Sequence, residues 1–126
     1  MYKDEEIKTI NIQLITLIAA LISAIISIIL TYNQKKDLEG KDTILDSKQL
    51  FNLTLFNRIF IIVISFIFLY VNYKLYEISK KEGEDLKPYI LQIIASIITI
   101  IPGIIALYVV SLSNTENIVD VENPII

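Results

Sequence analysis

Charge is absent from two long stretches of this chain, and that absence limits its fold more than any motif does. No residue between Lys8 and Lys35, or between Lys87 and Glu116, is formally charged. Each interval exceeds the roughly 20 predominantly apolar residues that carry a helix across about 30 Å of hydrocarbon. A soluble helix interrupts its apolar residues to make one wet face. Here they form three blocks separated by charged segments, in a chain that is 54% hydrophobic. The pattern predicts an all-α membrane protein, with three transmembrane helices in an up-down-up bundle joined by short loops. The spans fall at about 9–32, 53–76 and 88–113 of a single transmembrane domain covering 1–126, followed by an acidic tail at 114–126.

The middle block differs from its neighbours. It contains the only arginine, Arg58, and repeats a polar side chain every seventh residue: Arg58, Ser65 and Asn72, continued by Ser79. Seven residues make about two helical turns, so these groups share one face. Fifteen residues, Ile59 to Tyr73, separate Arg58 from Lys74. They cover only about 22 Å as a helix, less than the hydrocarbon thickness. One of the two charges therefore lies inside the hydrocarbon edge or snorkels out of it. Tyr70, Tyr73 and Tyr76 form an aromatic belt at the far end, which places Arg58 about one turn below the opposite surface. Two readings stand for Arg58: a bundle-facing charge that contacts an anion or gates, and a boundary arginine that reaches lipid phosphates and sets helix depth.

The first span has a stripe of small residues, Thr16, Ala20 and Ala24 at spacing four, beside Ser23 and Ser27. Small residues at that spacing let two helix backbones approach closely in lipid. They serve either packing against spans two and three or a dimer surface. Span three repeats the theme with Gln92, Ser96, Thr99, Gly103 and Ala106, and Pro102 is expected to kink or loosen it.

Between the spans, Lys35 and Lys36 with Gly40 suit a helix end, and Thr43 with Asp46 resembles a capping box. The segment Leu50 to Phe56 either lies along the interface or forms the first turns of span two. Lys80, Lys81 and Gly83, followed by Asp85 and Pro88, predict a helical hairpin that makes spans two and three antiparallel neighbours. Stacked in that way, Asn72 comes level with Gln13 and Gln92. Ser65 comes level with Ser23 or Ala20 and with Thr99, and Arg58 with Thr31, Ser111 and Glu116.

The absence of cysteine and histidine removes disulfides, thiol nucleophiles and the commonest transition-metal ligands. No carboxylate falls inside a span, so no intramembrane acid pair or proton relay is expected. No P-loop, G-x-S-x-G or zinc motif occurs. The expectation is a protein without enzymatic activity, cofactor or metal. Its net charge of −3 gives no reason to expect nucleic-acid binding.

Its partners are expected to be membrane lipids and either itself or another membrane protein. Lysines flanking the spans are more numerous on the side of the N-terminus and second loop. This predicts a multi-pass protein of the cell membrane with its N-terminus inside and C-terminus outside. In span number, small size and short loops the chain resembles class I phage holins. That resemblance implies a pore-former or membrane permeabiliser as the alternative to a self-associating bundle or accessory subunit. A bacteriocin-immunity-type protein is a further alternative.

Overall fold

The computed structural model describes residues 2–112, and these form three helices. They are α1 (Lys3–Leu38), α2 (Ser47–Lys81) and α3 (Lys87–Leu112). All three are long and apolar enough to cross a membrane. The acidic tail, with Glu116, lies outside the described residues.

The helices extend beyond the apolar blocks because charged residues at their ends favour the helix dipole. Asp4, Glu5 and Glu6 occupy the first turn of α1, and Lys35 and Lys36 its last. α2 also ends on Lys80 and Lys81. Leu50 to Phe56 are the first turns of α2, with Leu50 and Thr54 buried. They continue into the rest of α2 without a break.

Both loops begin with the same stop. Gly40 has φ +72° and Gly83 has φ +74°, the left-handed region that favours glycine. After α1, the Lys41 amide donates to the Lys36 carbonyl at 2.9 Å and the Gly40 amide to Asp37 at 3.1 Å. After α2, Glu84 donates to Ser79 at 3.0 Å and Gly83 to Lys80 at 3.3 Å. This paired pattern is the Schellman motif, which satisfies carbonyls at the helix end.

The start of α2 differs from the expected box. The N-cap is Asp46, whose Oδ1 accepts from the Gln49 amide at 2.8 Å, while Gln49 Oε1 accepts from the Asp46 amide at 3.1 Å. Thr43 instead donates to the Leu45 carbonyl at 3.0 Å. Aspartate and the glutamine three residues later satisfy two otherwise orphan amides at once, so the helix starts there. Asn33 Oδ1 on α1 accepts from the Leu45 amide at 2.9 Å and ties down the connection.

α2 is the central element. It packs against both α1 and α3, whereas no Cα atom of α1 comes within 8 Å of one in α3. In the most apolar window of each helix, 33% of α2 is buried but only 17% of α1 and 11% of α3. At one end Leu30, Leu50 and Val110 form a buried apolar cluster that draws on all three helices. At the other end Glu5 of α1 lies 3.7 Å from Lys74 and 3.9 Å from Lys81 of α2. These ion pairs are partly exposed and add little stability.

The buried positions repeat at seven residues on both helices of the α1–α2 seam. They are Thr9, Thr16, Ser23 and Leu30 on α1, and Leu50, Asn57, Ile64, Val71 and Ile78 on α2. A seven-residue repeat keeps a straight seam between two slightly supercoiled helices. On the other side Gly103 brings α3 close to α2, where a Cβ would stand 3.4 Å from Ile62 Cγ1. α3 runs on as helix through Pro102 rather than breaking there.

Replacing Asp46 with alanine should cost about 1 kcal/mol of unfolding free energy, the usual loss of a helix cap. Thr43→Ala should cost much less. Equilibrium unfolding in mixed detergent, followed by circular dichroism, checks both; equal losses would restore the box at Thr43.

Candidate functional site

Side chains that hydrogen-bond across helices are scarce in an apolar interior, so each cross-helix contact identifies a join. Asn57 makes the first. It is fully buried on α2, where its Oδ1 accepts from Ser23 Oγ at 2.7 Å and its Nδ2 donates to Ser27 Oγ at 2.9 Å. One carboxamide thus holds two hydroxyls of α1, separated by one turn. Asn72 makes the second join, with Nδ2 donating to Ser96 Oγ of α3 at 2.5 Å. Ser96 Oγ in turn donates to the Gln92 carbonyl at 2.9 Å. Each such bond between membrane helices contributes about 0.6–2 kcal/mol.

The small stripe of α1 is divided between two surfaces. Thr16 and Ser23 are buried, Ala20 and Ser27 are half-buried, and Ala24 faces outward. Thr16 donates to the carbonyl of Ile12 one turn back, which satisfies its hydroxyl within the helix. The stripe's inward members Ser23 and Ser27 meet Asn57 of α2, and no Cα of α1 comes within 8 Å of one in α3. On α2 the partner of Ser23 is Asn57 rather than Ser65, and the same Asn57 reaches Ser27.

The repeat of α2 takes two different environments. Arg58 is buried, with 8% of its surface exposed, and is engaged by its surroundings rather than free. Thr31 and Ser111, expected at its level, are both exposed. Ser65 and Asn72 line a cleft together with Gln13 of α1 and Gln92, Ser96 and Thr99 of α3. The expected facing residues are thus collected in one place. Its volume is about 350 Å³, and Phe68 and Ala95 complete its walls.

The cleft is neutral; none of the residues lining it is formally charged. Its hydroxyls are turned back on their own helices: Ser65 donates to Ile61 at 2.8 Å and Thr99 to Ala95 at 2.8 Å. Their oxygen lone pairs remain to accept. No group of three or more His, Cys, Asp or Glu that could hold a metal ion occurs among the described residues. The arrangement offers hydrogen bonds to a neutral group, and its hydroxyls have no His, Asp, Glu or Lys among the lining residues.

Asn57 lies beside Arg58, one step off the polar repeat, so the polar pattern does not single it out. Its partners Ser23 and Ser27 had been visible as small residues. What would have found Asn57 is its seven-residue spacing from Leu50 and Ile64, a repeat hidden by its own apolar members. Comparisons with protein families, with characterised proteins and with solved structures give no match.

Asn57→Leu should destabilise the protein by about 1–3 kcal/mol, since it leaves Ser23 without its cross-helix partner. A double-mutant cycle with Ser23→Ala should show coupling of about 0.6–2 kcal/mol. Additive losses would mean that the bond contributes nothing. At Arg58, Lys and Gln substitutions should destabilise alike, by about 1–3 kcal/mol, because neither replaces a buried guanidinium fork. Full rescue by Lys in the same unfolding assay would return Arg58 to a boundary role.

Proposed function

We propose that this chain is a multi-pass integral membrane protein without catalysis of its own. Its three spans run up-down-up with the N-terminus inside. It works as a self-associated assembly or as an accessory subunit of a larger membrane complex. The observation that carries this reading is the exposure of α1 and α3, whose backbones closely approach α2 only. Lipid covers such faces adequately, and so does another helix. Small residues make close approach to a partner helix favourable, and Ala24 points outward from α1. The pairing of Glu5 with Lys74 and Lys81, and of Ser23 with Asn57, supports opposite directions for the first two spans.

A permeabilising role is the second reading. It is favoured by the uncharged polar cleft, which copies arranged around an axis could turn toward a shared lumen. Expression that collapses the membrane potential supports that role, whereas harmless high-level expression supports the assembly role.

Purification in mild detergent followed by native mass spectrometry tests the primary reading. The expected result is a series at multiples of 14.4 kDa, or one copy bound to a second protein. A species of 14.4 kDa alone, from protein extracted intact from membranes, would overturn it.

A further inference from the structure

The hydrogen-bonding groups that the fold leaves uncommitted are concentrated in one cleft. Of Gln92, only the backbone carbonyl is engaged, by Ser96 and, at 3.5 Å, by Asn72. The side-chain amides of Gln13 and Gln92 hydrogen-bond to no described residue, although both line the cleft. A carboxamide facing hydrocarbon without a partner costs several kcal/mol by transfer to an apolar medium, roughly 2–7. Gln13 is half-buried and Gln92 exposed, near the boundary of the spans, so part of that cost remains. On opposite walls, from helices whose backbones do not approach, they define a place where an incoming polar group is stabilised.

We infer that this cleft binds the neutral polar head of a membrane-dissolved amphiphile, a hydroxyl or ester carbonyl on an apolar chain. The inference rests on the reading of the helices as membrane spans. Chemistry selects neutrality: the walls offer amide N–H donors and amide and hydroxyl acceptors, but no charge to balance an ion. Size selects a small group. A volume of about 350 Å³ lies near the lower end of ligand sites, which run from about 300 to 1,000 Å³.

Length excludes a spanning helix as the occupant. The floor of the cleft on α2 runs from Ser65 to Asn72, about 10 Å, whereas a helix needs about 30 Å of seam. Depth agrees with the head of an amphiphile. Asn72 stands beside Tyr73 and Lys74, at the aromatic and charged boundary of the span, while Ser65 and Thr99 lie deeper. The tail of the amphiphile then continues over the exposed apolar surfaces of α1 and α3, leaving its head among the amides. A bilayer lipid's glycerol–ester region and a free single-chain amphiphile share this chemistry.

The chain contains no tryptophan, so Phe68→Trp places a single reporter in the wall of the cleft. The probe is a monoacylglycerol brominated on its acyl chain, titrated into the purified full-length protein in detergent. Quenching of Phe68→Trp should saturate, while that of Ile18→Trp, on the exposed face of α1, should rise without saturation. Adding Gln13→Leu and Gln92→Leu should weaken the saturable phase at least about tenfold, equivalent to about 1.4 kcal/mol. Neither glutamine side chain holds another described residue, so the Asn57 and Asn72 joins remain to support folding.

Competition by phosphatidylcholine assigns the site to bilayer lipid, and saturation without competition assigns it to a free amphiphile. Unsaturable quenching at Phe68→Trp overturns the inference, as does saturation that the leucines leave unchanged. Equal binding of the brominated fatty-acid anion overturns its neutrality. A chain that never reaches the membrane fraction overturns the membrane reading itself, a separate failure.

Discussion

Two carboxamides on α2 determine how this chain packs. Asn57 holds α1 through Ser23 and Ser27, and Asn72 holds α3 through Ser96. They stand about four turns apart on the same helix, at opposite ends of its apolar stretch. Apolar contact alone specifies orientation poorly when the surroundings are as apolar as the helix surface. In the proposed membrane setting, a buried amide must find its partners or carry a penalty of several kcal/mol. The asparagines therefore set register, while Leu30, Leu50 and Val110 close the far end by packing.

The result is a layer centred on α2 rather than three helices all in mutual contact. Since α1 and α3 do not approach each other, one side of α2 remains open between them, and the polar cleft lies there. The same geometry accounts for both proposals. Broad exposed faces suit lipid or a partner helix, and the recess suits a small neutral group. Arg58, buried at the other end of the polar repeat, belongs to the packing and not to the cleft.

Much of this was legible in the residues. Two charge-free blocks, with an apolar block between them that carries Arg58, located three helices, since charge inside a span is costly enough to be rare. The repeat of Ser65 and Asn72 pointed toward Gln13, Gln92 and Thr99, and those residues do line one cleft. Register was harder to read. Where every face is apolar, Ile64, Val71 and Ile78 carry no mark of burial, so the seam containing Asn57 stayed hidden. Capping was misplaced for a different reason. Thr43 and Asp46 fit a recognised spacing, but Asp46 with Gln49 offers two mutual hydrogen bonds.

Disulfide trapping in native membranes tests the central claim, that α2 alone joins α1 and α3, most directly. With no cysteine in the chain, every cross-link comes from an engineered pair. Leu30→Cys with Leu50→Cys should close within one chain, and so should Ile62→Cys with Gly103→Cys, both leaving the asparagines in place. Gln13→Cys with Gln92→Cys should not, because a disulfide needs Cα atoms within about 7 Å. Efficient intramolecular closure of that third pair, with failure of the first two, would contradict the α2-centred layer.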